Sequence, residues 1–414
     1  MASKALLAAA DPGLKRPTAG TDRTSPPEET LERVRPLFPL VGITRVANLT
    51  GLDHIGVPVA AAFRPNARAV AVSQGKGLTL AAAKVSAAME AIETFHAERM
   101  ANPLRAASVR EMLALPDRVD VEALPRVNVP LELDVPLLWT VGRDLPSDRE
   151  VWVPWEVVHT DYRRGPLVAS GMFVCSSNGL ASGNHFWEAV SHGICEVVER
   201  DANALFNAAP AAWQESRRID PATIPAGPCR DLLDRLDRAG VATMIWEATS
   251  DVGIPTFICE IADTRERGFA PVIPIQASGC HPRREIAVLA AMVEAVQGRI
   301  TRIAGAREEL ASGLYAAAAT KEAIARFVAA SAHPPTRSFA EGSGFDSETV
   351  AGDVAWELQR LAAVSLKQVI VVDLTRPEWG LPVVRVVVPG LEGIGDYAAL
   401  LAGERQRRWR SQWA

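Results

Sequence analysis

Three stretches of this sequence that resemble helices each carry two oxygen-bearing side chains placed three residues apart. The pairs are Glu90 with Glu93, Glu196 with Glu199, and Glu294 with Gln297. Residues at positions i and i+3 share one face of a helix, so the two side chains of each pair point in one direction. Their neighbours are mostly Ala, Val, Ile and Met, and acids among such residues are costly unless they are paired or bound to metal. We therefore expect a cation between these helices.

The chemistry that this pattern favours is the binding of Mg²⁺ and phosphate. Mg²⁺ prefers a few carboxylates together with water and phosphate oxygens. A loop rich in Gly and Ser precedes each helix, and such loops present backbone N–H groups to an anion. Lys76 lies in the first of these loops and could reach a phosphate, although Gln74–Thr79 lacks the spacing of a standard P-loop. The pattern predicts a site for a nucleoside triphosphate.

Two other kinds of site use residues of the same helices. Glu93 and His96 form one Glu-x-x-His pair, the unit of di-iron carboxylate bundles, but the sequence contains no second pair. Cys195 and Cys280 lie beside histidines, as a nucleophilic thiol would, but a buried structural cysteine is the commoner outcome. We interpret His96 as an ordinary helix residue and leave the catalytic group unassigned.

Composition limits the protein class. The 414 residues are 48% hydrophobic and 22% charged with a net charge of −5, which is ordinary for a globular protein of two or three structural units. The acidic balance argues against a nucleic-acid binder. No apolar run approaches a membrane-spanning length and the N-terminus does not resemble a secretory signal, so we expect a cytoplasmic location and no membrane partner.

The elements that must position the polar pairs are strands followed by helices. The sequence predicts strands over 55–63, 68–73, 240–262, 368–374 and 383–388, and long helices ending near residues 99, 207 and 303. The unit of strand, small-residue loop and helix recurs about every hundred residues, which is too long for a solenoid. We predict a mixed α/β (α+β) protein with repeated units around one centre.

We expect three regions along the chain. Residues 1–22 read as a flexible segment, 23–400 as the main domain, and 401–414 as a basic tail that contains tryptophan. A solvated tail is the favoured interpretation, and docking of a partner protein or an acidic peptide is the alternative.

At its motifs the chain resembles the YcaO superfamily over roughly residues 23 to 395. The resemblance rests on Ser73–Thr79 with Ser86–Glu93, on Ser177–Asn184 with Cys195–Asp201, on Gly279–Pro282 with Glu294–Arg299, and on the closing Val388–Glu392. It implies a YcaO-type fold that binds ATP with Mg²⁺ at a central nucleotide site.

The resemblance also implies roles for individual residues. The expected ligands of Mg²⁺ are Glu90, Glu93, Glu196 and Glu199. The expected phosphate contacts are Ser86, Asn184 and Arg200, and Glu188 is expected at the nucleoside end. Further nucleotide contacts by resemblance are Arg23, Thr30, Gln297, Arg299 and Arg307.

Members of this superfamily use ATP to activate a peptide amide. A nucleophile adds to the carbonyl, the oxyanion is phosphorylated, and phosphate leaves. A neighbouring Cys, Ser or Thr gives an azoline, whereas external sulfide gives a thioamide. The chain lacks a Pro-x-Pro-x-Pro ending and a leader-binding extension, so it resembles the stand-alone members that work with a TfuA-like partner.

The predicted function is therefore backbone thioamidation of a ribosomal precursor peptide by a homodimer. Azoline formation is the second hypothesis, with a separate leader-binding protein as a possible partner. A non-catalytic scaffold that presents the peptide to another enzyme is the hypothesis from another class.

Overall fold

Three sheets, each followed by a long helix that packs against it, organise the fold. The computed structural model describes residues 11–18, 20–163, 170–264, 272–307, 317–393 and 401–413. The strands in these ranges are β1 Arg16–Thr18, β2 Thr21–Arg23, β3 Arg45–Asn48, β4 Val59–Phe63, β5 Val72–Lys76, β6 Arg105–Ser108, β7 Pro136–Asp144, β8 Arg149–Pro154, β9 Leu180–Ser182, β10 Val241–Glu247, β11 Thr256–Asp263, β12 Ile275–Cys280, β13 Ile370–Asp373 and β14 Val383–Val387.

Helices connect and cover these strands. They are α1 Pro27–Val34, α2 Phe38–Val41, α3 Leu80–Glu98, α4 Val109–Leu113, α5 Phe186–Ala208, α6 Ala211–Glu215, α7 Pro228–Arg238, α8 Arg284–Ala304, α9 Ala317–Ser331, α10 Val350–Ala363 and α11 Glu404–Ser411. None of the helices in the described ranges is long and apolar enough to cross a membrane.

The sheets place one edge strand directly before each of the three long helices. Two sheets have the orders β3-β4-β5 and β10-β11-β12, and a third has the order β6-β7-β13-β14-β9 with β8 paired to β7. Their strand pairs are antiparallel. Strands β5, β9 and β12 are edges and lead into α3, α5 and α8. The predicted mixed fold and its three strand–loop–helix units are confirmed.

Glycines allow these helices to approach their strands. A Cβ on Gly75 of β5 would lie 2.1 Å from the backbone nitrogen of Ala87 in α3. A Cβ on Gly279 of β12 would lie 2.4 Å from the backbone oxygen of Ala287 in α8. The glycine therefore fixes the helix against the strand, because any side chain would push the two backbones apart. Strand β5 extends to Lys76, through residues that the sequence indicated as a loop.

Helix α5 is the central helix, and it packs against both β14 and α10. Its buried face includes Val190, Ile194 and Val198, which join Val354 of α10 and Val384 of β14 in one hydrophobic cluster. Burial of this face holds the opposite, polar face of α5 at a fixed place in the molecule.

One buried acid of this interface predicts a pH dependence of stability. The carboxylate of Glu357 on α10 accepts a hydrogen bond from Ser191 Oγ at 2.7 Å, and burial raises its pKa to about 8. The pKa of Glu357 is higher in the folded state than the value of about 4.5 in the unfolded state. Ionisation of Glu357 therefore lowers the free energy of unfolding as the pH rises from about 4.5 to about 8. The Glu357→Gln variant is expected to gain melting temperature over the wild type at pH 8, with a smaller gain at pH 5. An equal difference at both pH values would contradict this assignment.

The N-terminal segment is ordered where the structure describes it. Residues 1–10 lie outside the described residues, but β1 and β2 form an antiparallel hairpin instead of the flexible stretch expected over 1–22. Lys15, whose side chain is almost fully buried, lies 2.7 Å from Asp353 of α10 and 3.9 Å from Asp22. Asp346 lies 3.7 Å from the same ammonium group. Burial of this group among three carboxylates holds the segment against α10, a long-range effect that composition does not reveal.

The C-terminal tail is a docked helix rather than a solvated segment. Arg405 of α11 makes two 2.9 Å contacts with Asp201 of α5, whose side chain is fully buried. Trp409 and Trp413 pack against Trp213 with ring centroids 5.3 and 6.0 Å apart. The expectation of a solvated tail was wrong, because the acid that anchors the tail lies two hundred residues earlier in the sequence.

Removal of the guanidinium at position 405 is expected to release this helix. Arg405→Ala leaves the Asp201 carboxylate buried without its cation, which costs about 3–5 kcal/mol when a buried pair is broken. Limited trypsin digestion should then cut within residues 401–413 much faster than in the wild type. Arg408→Ala is the matched control, because Arg408 is exposed and, among the described residues, its side chain pairs with Glu404 one turn away. Equal digestion rates for the two variants would contradict the anchoring role of Arg405.

Candidate active site

Helices α3 and α5 bring their paired glutamates close to one another, and we call the space beside these glutamates the cleft. Glu90 and Glu93 project from α3, and Glu196 and Glu199 project from α5. The pKa of Glu93 is raised to about 8, mainly by burial and in part by the charges of Glu90 and Glu196. The two predicted pairs are therefore brought together, close enough for the carboxylates of one helix to affect those of the other.

Three of the other carboxylates of the cleft are perturbed in the same direction, whereas the pKa of Glu294 is lowered, because the charges of Lys76 and Arg200 outweigh its burial. Burial raises the pKa of Glu90 and of Glu196 to about 7. Burial also raises the pKa of Glu199, and the nearby charge of Glu294 adds to this effect. We name Glu90, Glu93, Glu196, Glu199 and Glu294 the acidic cluster. Positive charge in the cleft would lower the free energy of the ionised form of every member.

Helix α8 forms a third wall, and it contributes an acid that the predicted metal set omitted. Glu294 Oε2 accepts a hydrogen bond from Lys76 Nζ at 2.8 Å. Burial lowers the pKa of Lys76. The negative charges of Glu294, Glu90 and Glu199 raise it by more, so the pKa of the ammonium group is above its ordinary value. The repeated three-residue spacing in the sequence was the signal for Glu294, which the resemblance included in a motif without assigning it a role.

The amide of the third wall differs from the acids in its bonding. Gln297 Nε2 donates to the backbone oxygen of Gln74 at 3.3 Å, so the α8 wall is tied to β5. Gln297 Oε1 is buried and has no hydrogen-bond partner among the described residues. This neutral oxygen is available to a bound group.

Two serines orient the acidic cluster, and the sequence analysis did not identify them. Ser182 Oγ, at the end of β9, donates to Glu93. Ser278 Oγ of β12 donates to Glu199 at 2.8 Å. Both serines lie on the edge strands that precede the long helices, so their only sequence signal was the Ser-rich composition of these segments.

Cations line the same cleft. Arg200 Nη1 lies 3.1 Å from Glu199 and its Nη2 lies 3.8 Å from Glu196. The charge of Arg307 acts on Glu90 and lowers its pKa against the effect of burial. Ser86 lies on α3 one turn before Glu90 and is partly exposed. These three predicted phosphate or nucleotide contacts therefore lie at or near the acidic cluster.

The predicted N-terminal contacts form a separate group at one end of the cleft. The Glu188 carboxylate accepts hydrogen bonds from Thr24 Oγ1 at 2.7 Å and from Arg23 Nη1 at 3.2 Å. Asn184 Oδ1 lies 3.0 Å from the hydroxyl oxygen of Thr30. The predicted residues Arg23, Thr30, Asn184 and Glu188 thus join the N-terminal segment to the start of α5.

The structure does not bring Arg299 into the cleft. Its Nε lies 3.0 Å from Asp53 Oδ2 and its Nη2 lies 2.8 Å from Asp263 Oδ2. A buried guanidinium held by two carboxylates is a structural ion pair, and it is not free to bind phosphate. The resemblance predicted a nucleotide contact for Arg299. A motif match contains no information about distant partners, so the pairing of Arg299 with Asp53 and Asp263 could not be foreseen.

The donor set of the cleft fits Mg²⁺ when phosphate is bound as well. No three His, Cys, Asp or Glu side chains of the described ranges lie close enough together to hold a metal ion by themselves. Mg²⁺, however, commonly takes only one or two carboxylates and completes its shell with water and phosphate oxygens. Burial raises the pKa of Glu90, Glu93 and Glu196, and a divalent cation would oppose this effect by stabilising their ionised forms.

Comparison with a family model gives a match over residues 74–392, which include every member of the acidic cluster. The model describes the YcaO cyclodehydratases as ATP- and Mg²⁺-binding proteins. The matched residues make up most of the chain and extend from the end of β5 to the closing Glu392.

Two relatives cover nearly the whole chain. An uncharacterised protein in the tfuA 3′ region of Rhizobium leguminosarum bv. trifolii is 37% identical over an alignment of 401 positions, which covers 92% of this chain and 91% of the relative. An uncharacterised protein of Methanothermobacter thermautotrophicus is 35% identical and covers 88% of this chain and 94% of its own length.

Solved structures share the fold. YcaO from Methanopyrus kandleri, bound with AMPPCP and Mg²⁺, matches with a TM-score of 0.69 at 24% identity, covering 93% of this chain and 96% of that one. A heterocyclase in complex with substrate and cofactor matches with a TM-score of 0.71 at 22% identity, over 92% of this chain. This chain spans 55% of that heterocyclase.

Proposed function

Because this chain belongs to the YcaO family, we propose that it uses ATP and Mg²⁺ to activate a backbone amide of a ribosomally made peptide and converts it to a thioamide. ATP and Mg²⁺ are the cofactors of the family. The acidic cluster carries the proposal, because buried carboxylates with raised pKa values on two facing helices need divalent cations.

The residues of the cleft have distinct tasks in this proposal. Bound ATP supplies the phosphoryl group for the amide oxygen, and Mg²⁺ neutralises the phosphate charge. The glutamates of α3 and α5 hold the cations from opposite sides. Ser182 and Ser278 fix the carboxylates of Glu93 and Glu199 in place. Arg200 carries positive charge beside these acids and contacts the phosphates.

The reaction balances with sulfide as the second substrate. Sulfide adds to the amide carbonyl carbon, and the carbonyl oxygen takes the terminal phosphoryl group of ATP. The carbon–oxygen bond then breaks, and phosphate leaves with the former amide oxygen. One amide, one hydrogen sulfide and one ATP give one thioamide, one ADP and one phosphate. Phosphorylation is needed because the amide oxygen is a poor leaving group.

Thioamidation, azoline formation and a non-catalytic scaffold each have a different observation for or against them. The relative in the tfuA 3′ region, similar over 92% of this chain, supports thioamidation with a TfuA-like partner. The cyclodehydratase description of the family model supports azoline formation as the second candidate. A non-catalytic scaffold is disfavoured, because without catalysis nothing would require five perturbed acids in one cleft.

Mass spectrometry of candidate precursor peptides coexpressed with the protein tests the proposal. A gain of about 16 Da indicates that sulfur has replaced oxygen, and a loss of about 18 Da indicates cyclodehydration. We expect the gain, and we expect it to increase when a TfuA-like protein is coexpressed. Loss of about 18 Da would reject thioamidation in favour of the azoline. No ATP turnover with any peptide and sulfide source would reject the enzyme hypothesis.

The proposal includes an assembly and a place of action. We propose that the enzyme works as a homodimer in the cytoplasm, where ATP and newly made peptides are available. Sedimentation of the purified protein tests the assembly, and a monomer at micromolar concentration would contradict it.

A further inference from the structure

A pocket lies on the side of α5 next to Glu196, and none of the residues in the acidic cluster lines it. Its empty volume is about 510 Å³ when the solvent at its mouth is included. The enclosed part measures about 50 Å³, which has room for a small polar group such as a peptide amide, and the rest of the space is open to solvent. The walls include the apolar side chains of Val157, Val174, Val197 and Leu391.

Two polar residues of the pocket wall have unsatisfied buried atoms. Arg385 is only 2% exposed, and its Nη1 has no hydrogen-bond partner among the described residues. Its other nitrogens are engaged, since Nε donates to the backbone oxygen of Val157 and Nη2 to that of Ser176. Asn178 Oδ1 is also buried without a partner in the described part of the chain. Buried polar atoms without partners are costly, so each one indicates a missing ligand group.

The two free atoms have complementary bonding capacity. Arg385 Nη1 can only donate a hydrogen bond, and Asn178 Oδ1 can only accept one. A peptide backbone amide has one acceptor oxygen and one donor N–H group. Within the described residues, this pocket therefore presents the bonding groups that a backbone amide lacks when it leaves water.

We propose that this pocket binds the substrate peptide through a backbone amide, with Arg385 donating to a carbonyl oxygen and Asn178 accepting from an N–H group. The apolar walls take an aliphatic side chain of the peptide. This proposal rests on the proposed function, because it identifies where the peptide approaches the nucleotide site.

The position of Arg385 connects the pocket with the acidic cluster. The charge of Arg385 acts on Glu196, and Val197, the next residue of α5, lines the pocket. A peptide held here would lie beside the cleft that holds the phosphates. Binding through backbone groups would also allow different side chains, whereas the size of the apolar walls would set the preference among them.

Small amide probes test the pocket without knowledge of the natural peptide. N-methyl-4-methylpentanamide has one carbonyl and one N–H group, whereas methyl 4-methylpentanoate, the ester of the same acid, keeps the carbonyl and lacks the N–H. We expect saturation-transfer NMR titrations to show the amide bound about tenfold more tightly than the ester, the effect of one well-formed hydrogen bond. The Asn178→Ala variant should bind both probes with similar affinity, because its acceptor is gone.

Matched variants separate the role of Asn178 from structural damage. Asn178→Asp keeps an acceptor oxygen and should keep the preference for the amide. Arg385→Lys removes the free donor and should weaken both probes, and its melting temperature is measured because Arg385 also holds two backbone carbonyls. Persistence of the amide preference in Asn178→Ala would overturn the proposal, as would equal binding of both probes to the wild type or no binding at millimolar concentration.

Nucleotide binding distinguishes failure of this pocket from failure of the proposed function. Mg²⁺-dependent binding of AMPPCP should be unchanged in Asn178→Ala, since Asn178 does not touch the acidic cluster. If AMPPCP binds normally and the probes do not discriminate, the pocket assignment fails while the proposed function stands. If AMPPCP does not bind the wild type in the presence of Mg²⁺, the proposed function fails independently of the probes.

Discussion

Glu199→Gln is expected to lower peptide-dependent ATP turnover by about 100-fold or more and to abolish the effect of Mg²⁺ on AMPPCP affinity. The amide has nearly the shape of the carboxylate and can still accept from Ser278, which donates to Glu199 at 2.8 Å. It lacks the charge that a magnesium ligand needs. The measurements are ATP hydrolysis with the coexpressed precursor peptide and calorimetric titration with AMPPCP at varied Mg²⁺ concentrations.

The matched control for this variant is Glu357→Gln. Glu357 is a buried glutamate with a raised pKa, and it packs against α5, but Ser191 and Cys195 are its partners instead of the acidic cluster. Its replacement should leave Mg²⁺-dependent nucleotide binding within about twofold of the wild type. Equal losses in both variants would mean that the removal of a buried acid beside α5, and not the removal of a magnesium ligand, causes the effect. Normal turnover in Glu199→Gln would remove Glu199 from the magnesium site.

Lys76→Met is expected to destabilise the metal-free protein and to make its stability depend more strongly on Mg²⁺. The ammonium group lies 2.8 Å from Glu294 and is also attracted by Glu90 and Glu199. Its loss removes a charge-assisted hydrogen bond worth about 1–3 kcal/mol and leaves the acids to repel one another. Added Mg²⁺ binds the folded state and supplies positive charge, so it should restore much of the lost stability. Melting temperatures with EDTA and with increasing Mg²⁺ measure both effects.

Lys84→Met is the control for this second variant. Lys84 lies on α3 and is partly exposed, but it is not among the groups that affect the acidic cluster. Its replacement should change the melting temperature little, and Mg²⁺ should stabilise it only as much as the wild type. If Lys76→Met melts like Lys84→Met in EDTA, Lys76 does not compensate the charge of the acids.

The sequence predicted the parts of the site that depend on local spacing. The i, i+3 pairs placed Glu90 with Glu93 and Glu196 with Glu199 on single helix faces, and the structure brings these faces together. Long-range partners could not be predicted in this way. Arg299 carries the expected motif but pairs with acids far away in the chain, and spacing within one helix contains no information about them.

Long-range charge pairing also explains the difference at the C-terminal end of the chain. The sequence of the tail is basic, which favours a solvated segment, yet Arg405 is held by an acid on α5. The closing Glu392 accepts backbone hydrogen bonds from Gly403 and Gln406 at 2.8 Å and so anchors the start of α11. Neither contact has a local sequence signal, because the partners lie in different elements.

Crystallographic location of Mn²⁺ in place of Mg²⁺ tests the central claim most directly. Crystals grown with AMPPCP and Mn²⁺ give anomalous peaks that identify each metal position independently of any substrate. The account predicts peaks between α3 and α5, at about 2.0–2.2 Å from carboxylate oxygens of both helices and from phosphate oxygens. Peaks that contact only phosphate and solvent, with the acidic cluster unchanged, would contradict the assignment of these glutamates as the magnesium ligands.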